Sequence, residues 1–136
     1  DDSLLARRIG RHIVDSPLVK TAVYGNDPNV GRLLSACGDA LERYDVDGAV
    51  DERSLRIAIF DSEVYRDGAF RLNGETEERL TRLLRESATD PTFVGCPQRA
   101  PLVTITFSFG DASSEQRILG GDLSYEYIRE NADYRS

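Results

Sequence analysis

Few side chains in this sequence combine the type and spacing that chemistry requires. His12 is the only histidine, which excludes a His-based metal site and any Ser/His/Asp or Cys/His nucleophile pair built from this chain alone. Cys37 and Cys96 are the only cysteines. Two thiols so far apart make neither a zinc site nor a disulfide framework, and they read as reduced thiols of a cytoplasmic protein. Lys20 is the only lysine; every other basic residue is arginine. The stretch GNDPNVGR at 25–32 has two glycines but lacks the Lys-Ser/Thr step of a P-loop, and Asp27 places negative charge where an anion would sit at a helix start. The acidic stretch DVDGAVDER at 45–53 departs from the EF-hand calcium pattern and reads as a solvated connection. The carboxylate pairs Asp45/Asp47 and Glu77/Glu78 read as surface, and Tyr125, Tyr127 and Tyr134 as packing. By pattern alone, Asn131 and Ser136 are capping or tail residues. No cofactor and no metal motif emerges, and no catalytic residue is assigned.

The elements around these residues follow from periodicity. Leu5, Ile9 and Ile13 recur every four residues, so 3–14 reads as a helix, capped by Asp2 or Ser3 and stopped by Pro17. The run LVKTAVY at 18–24, apolar and rich in β-branched residues, reads as a short buried strand. Asp27 then reads as an N-cap and Pro28 as the first helical residue. Val30, Leu33, Leu34, Cys37 and Leu41 form the apolar stripe of that helix. Alternation makes 55–60 a half-buried strand, Val64 and Tyr65 another, Asp67–Gly68 a turn, and 69–72 its hairpin return. Leu80, Leu83 and Leu84 mark a helix over 75–87; residues 88–100 read as loop. Residues 101–109 alternate most strongly, with 115–119 as a hairpin partner, and a last helix is expected from Asp122 or Ser124 to Asn131. The pattern α-β-α-β-β-α-β-β-α implies an α+β fold, a mixed, mainly antiparallel sheet with packed helices, in a single domain spanning 1–136.

Composition narrows the class further. The chain has 136 residues, 40% hydrophobic and 30% charged, suited to one folded domain. Its 17 basic against 24 acidic residues leave a net charge of −7, which argues against a nucleic-acid partner. No apolar run is long enough for a membrane span, and no signal peptide is visible. The sequence starts at Asp1 and contains no methionine, so the chain is expected to be processed or part of something longer.

Two segments are distinctive. The stretch ARRIGRHIVDSPLVKTAVYGNDPNVGRLLSACGDA, from Ala6 to Ala40, resembles the β chain of the ornithine acetyltransferase (bifunctional glutamate N-acetyltransferase) family, whose members show SPLVKTA followed by G-x-DPNWGR. The closing DLSYEYIRENADYRS, Asp122 to Ser136, resembles that family's C-terminal NADYR(T/S) signature. The resemblance implies a precursor that cuts itself before a Thr, giving α and β chains in a hetero-oligomer related to N-terminal-nucleophile hydrolases. The freed Thr would carry an acetyl group from N-acetyl-L-ornithine to L-glutamate. It implies, too, that Asn131 and Ser136 bind the amino-acid substrate, while Lys20 and the 25–32 turn serve as architecture.

Departures from the family pattern qualify that expectation. Val30 stands where the family has Trp, which suits a paralogue with a different donor preference. The nucleophilic Thr is not in this chain, so the chain alone is expected not to catalyse transfer; the α chain and the remaining β segment would complete the site. Two alternatives remain open at this point: an amidase or aminopeptidase relative in which water accepts the acyl group, and a non-catalytic interaction domain.

Overall fold

The computed structural model describes residues 2–87, 103–110 and 116–118. Its elements are α1 (Asp2–Val14), α2 (Pro17–Tyr24), α3 (Val30–Tyr44), β1 (Leu55–Ile59), β2 (Ser62–Arg66), β3 (Ala69–Phe70), α4 (Gly74–Glu86) and β4 (Ile105–Phe109), with a short 3-10 turn at Glu52–Ser54. The strands form one sheet in the order β3-β2-β1-β4, and every pairing is antiparallel. The expected α+β class with a mainly antiparallel sheet is therefore what the chain adopts.

The expected strand at 18–24 is instead the helix α2. Pro17 sits in its first turn, with φ already suited to a helix. Val19 and Ala22, three apart, are the buried pair, a helical spacing that outweighs the β-branched composition. Thr21 donates from Oγ1 to the carbonyl of Pro17 at 2.9 Å, keeping its hydroxyl within the helix. A short apolar run of this kind has no periodicity long enough to separate strand from buried helix.

The start of α3 is also corrected. Asp27 does not cap it and Pro28 is not its first residue; Asn29 is the cap and Val30 opens the helix. The apolar stripe is otherwise as expected, with Val30, Leu33, Cys37 and Leu41 buried and Leu34 half-buried against the core. Ala36 and Ala40 complete the face, and these small side chains let α1 pack closely, through Ile9 and Ile13.

β1 shows the alternating burial expected of it. Tyr65 lies opposite Ile57 but Glu63 lies opposite Ala58, a β-bulge that leaves Val64 as the extra residue, fully buried. The Asp67–Gly68 turn has positive φ at both residues, 53° and 74°, the type I′ geometry that suits a two-residue hairpin. The return strand β3 covers only Ala69–Phe70. α4 begins behind Asn73, whose side chain accepts from the Thr76 amide at 2.8 Å, and it buries Leu80 and Leu84.

β4 does not pair with a following hairpin strand in the described residues. Its partner is β1, from Leu55 opposite Phe109 to Ile59 opposite Ile105, and residues 116–118 carry no strand. Pairing with β1 places Ile105, Phe107 and Phe109 against the core, a long-range gain in burial that local turn signals do not reveal. The loop expected at 88–100, Cys96 and the last helix lie outside the described residues.

Candidate functional site

The part of the distinctive sequence that the structure describes is the α2–turn–α3 unit. α2 ends with the amide of Gly25 bonded to the carbonyl of Thr21 at 2.9 Å. Asn26 then adopts φ 57°, a left-handed conformation that Asn tolerates better than most residues. The chain folds back so that the amide of Asp27 donates to the carbonyl of Ala22 at 2.9 Å. Pro28 is buried beneath the turn.

Asn29 joins the turn to the helix. Its Oδ1 accepts from the Arg32 amide at 3.0 Å, closing the first turn of α3. Its Nδ2 donates to Oδ2 of Asp27 at 3.2 Å. An amide side chain accepts through its oxygen and donates through its nitrogen; a second carboxylate could only accept. Asp27 thus acts through the cap residue instead of being the cap.

Arg32 closes the unit from the opposite side. Its Nη1 donates to the carbonyl of Leu18 and to Oγ1 of Thr21, each at 3.3 Å, linking the first turns of α2 and α3. Lys20, half-buried on α2, continues the helix with its amide bonded to the Ser16 carbonyl at 3.0 Å. The described contacts of the 25–32 turn tie α2 to α3. Val30 is buried in the core.

Between this unit and the sheet lies a cavity of about 10 Å³, lined by Ala22, Pro28, Leu33, Ile59, Leu84 and Ile105 among others. That volume holds about one water, and an amino-acid substrate needs far more. The cavity is a packing gap. Among the described residues no group of three or more His, Cys, Asp and Glu side chains could hold a metal ion.

The remaining candidates separate in the same way. Cys37 is fully buried and free; burial, with a smaller contribution from the charge of Glu52, pushes its thiol up to about 12. A thiol held protonated is no nucleophile. Asp45 accepts from the amides of Ala49 and Val50, each at 2.9 Å, so the acidic 45–53 stretch is a self-bonded connection. Glu77 and Glu78 are exposed on α4. Asn131 and Ser136 lie outside the described residues, as do Tyr125, Tyr127 and Tyr134.

Sequence reasoning missed the cap role of Asn29 and the Arg32 link. Their signal is the N-x-x-R spacing, which sets Arg32 one turn into a helix capped by Asn29.

A model of the ArgJ family matches residues 1–136. The chain is 36% identical over 132 residues to the arginine biosynthesis bifunctional protein ArgJ of Methylococcus capsulatus, covering 96% of this chain and 27% of that protein. It is 39% identical over 135 residues to a glutamate N-acetyltransferase of Methanopyrus kandleri, covering 96% and 29%. Its structure is similar to the crystal structure of the arginine biosynthesis bifunctional protein argJ from Bacillus halodurans. There the TM-score is 0.59 at 27% identity, over 97% of this chain and 52% of that one. The chain spans less than a third of the length of these two curated relatives.

Proposed function

The chain belongs to the ArgJ family, and on that premise we propose that it is the C-terminal portion of the β chain of an ornithine acetyltransferase. One observation carries the reading: the family match runs the whole length of 1–136, through both distinctive segments. A relative named glutamate N-acetyltransferase, 39% identical to this chain, supports the same activity.

In this reading residues 1–136 form one domain beside an N-terminal-nucleophile-type core. The nucleophile is a Thr in another segment, freed when the precursor cuts itself. Its α-amino group takes the hydroxyl proton as the oxygen attacks the acetyl carbonyl of N-acetyl-L-ornithine. The amide C–N bond breaks, the proton passes to the departing nitrogen, and ornithine leaves an acyl-threonine. The amine of L-glutamate then attacks that ester, and N-acetylglutamate departs as the hydroxyl is restored.

This chain's share is substrate binding. The Asn131 amide offers both a donor and an acceptor to the ammonium and carboxylate of an amino acid. The Ser136 hydroxyl can accept from an α-ammonium. The α chain and the rest of the β chain are the partners, in an α/β hetero-oligomer of the cytoplasm. Among the described residues no helix is long and apolar enough to cross a membrane.

Deleting residues 131–136 from the whole enzyme tests the assignment. Transfer of acetyl from N-acetylornithine to glutamate is expected to fall severely. Unchanged kinetics after the truncation would remove Asn131 and Ser136 from the site. Measuring released acetate beside N-acetylglutamate separates transfer from hydrolysis, and acetate alone would reject the acetyltransferase in favour of an amidase.

A further inference from the structure

The solvent faces of the helices differ in kind. α1 exposes Leu4 beside Arg7, Arg8 and Arg11, and α4 exposes Gly74 and six charged side chains from Glu75 to Glu86. α2 exposes Pro17, Leu18, Thr21 and Tyr24, and none of these carries a charge. With about 100° between successive residues, they fill one arc of about 120° on the helix. Leu18 is 57% exposed and Tyr24 51% exposed. The Thr21 hydroxyl is satisfied within the unit: it bonds to the carbonyls of Pro17 and Leu18 at 2.9 and 3.1 Å and accepts from Arg32 Nη1 at 3.3 Å. The chain is 30% charged, yet from Ser16 to Gly38 only Lys20, Asp27 and Arg32 carry charge. Lys20 is half-buried, Asp27 is bonded to Asn29, and Arg32 is bonded to α2.

We propose, resting on the reading of this chain as part of a longer ornithine acetyltransferase, that the uncharged face of α2 docks the β-chain segment lying outside residues 1–136. The centres of protein interfaces are depleted in charge and rich in aromatic anchors, with polar groups at the rim. Leu18 and Tyr24 supply such a centre. Asp27, exposed, and Arg32, half-buried, supply polar groups beside it.

The size of the face selects the occupant. α2 has 8 residues, a helix about 12 Å long, and one side of it offers roughly 200 Å². Stable association of separate proteins takes about 800 Å² from each partner. Two copies of this chain would also bring together two net charges of −7. A segment of the same polypeptide is held nearby at high effective concentration, so a small patch is enough for it. The curated relatives have such a segment: the matched region is 27% of one and 29% of the other, so more than two thirds of each lies outside it.

Two measurements on the whole enzyme test the docking. Leu18→Cys and Tyr24→Cys, each in a Cys96→Ser background, are labelled with a maleimide and compared with Glu78→Cys on the charged face of α4. Labelling of a covered site waits for local opening, so rates lower than that of Glu78→Cys by about tenfold or more are expected. Tyr24 is then replaced by the photoreactive p-benzoylphenylalanine, and mass spectrometry of the irradiated enzyme identifies the peptide joined to it. A link to a β-chain peptide outside 1–136 is the expected result. Rates equal to that of Glu78→Cys, or no crosslink, leave the face open to water and overturn the docking. A link to the α chain, or within residues 1–136 of the same or a second copy, overturns the occupant. Acetyl transfer by the parent enzyme decides the functional reading separately. A parent that only hydrolyses, while the Tyr24 site links outside 1–136, loses that reading and keeps the docking face; a transferase whose Tyr24 site links elsewhere keeps the reading and loses the face.

Discussion

Replacing Asn29 tests whether the turn before α3 is held by a side chain that must both accept and donate. Asn29→Ala removes the acceptor for the Arg32 amide at 3.0 Å and the donor to Asp27 at 3.2 Å. Loss of an N-cap costs about 1 kcal/mol, within a range of about 0.5–2. Asn29→Asp is more discriminating. As a bare cap, Asp is as good as Asn, so a cap-only account expects almost no change. Here a second carboxylate would stand where Nδ2 now donates, beside the Asp27 oxygen. Two like charges at such a distance repel by about 1 kcal/mol even with water-like screening, and Asp27 is exposed, so the water-like figure is the relevant one.

Asn29→Asp should therefore be about as destabilised as Asn29→Ala at neutral pH. The Asp variant alone should recover in acid, where one of the paired carboxyls takes up a proton and the repulsion ends. Denaturant midpoints of the two variants and the parent, measured at neutral and acidic pH, provide the comparison. Exchange of the Arg32 amide reports the cap directly. An Asn29→Asp variant as stable as the parent at neutral pH, with Asn29→Ala destabilised, would show that the bond to Asp27 contributes nothing and would refute the two-sided role.

The other expectations concern the core. Leu80 is fully buried between α4 and the sheet, so Leu80→Ala should lower stability by about 2–5 kcal/mol in equilibrium unfolding; a loss under about 1 kcal/mol would mean that α4 does not cover the core as described. The thiol of Cys37 stands at about 12 instead of 9.0. Below 9.0 both folded and unfolded chains hold the proton, and stability is unaffected. Between about 9 and 12 the unfolded chain releases it and the folded chain does not, so stability falls as pH rises. The parent should lose more stability than Cys37→Ala between pH 8 and about 10.5, read from denaturant midpoints; equal slopes would show that the folded protein does not hold the thiol protonated.

Much of this architecture was legible as periodicity. Ile9 and Ile13, the stripe from Val30 to Leu41, and Leu80 with Leu84 repeat every three or four residues, and each run became a helix with those residues inward. The alternation of Leu55, Ile57 and Ile59 became β1, and Asp67–Gly68 carried its own turn type. These signals are local because side-chain direction repeats with the backbone. The distinctive segments likewise identified the family from residue order alone, without any contact being known.

Tertiary packing decided what local pattern left degenerate. LVKTAVY satisfies the composition of a strand and the spacing of a helix, and Pro17 with burial of Val19 and Ala22 against α3 selects the helix. Asp27 and Asn29 are both good cap residues, and only the fold-back of the turn, which sets Asp27 beside the Asn29 amide, gives the cap to Asn29. β4 carried no mark of its partner: a strand's alternation states which face is apolar but not which distant strand supplies the hydrogen bonds. The same holds for Gly10, an unremarkable helix glycine until Ile118, more than a hundred residues away in sequence, is found where its side chain would be. Contacts between residues distant in sequence depend on the closure of the whole chain, and no window of neighbouring residues contains them.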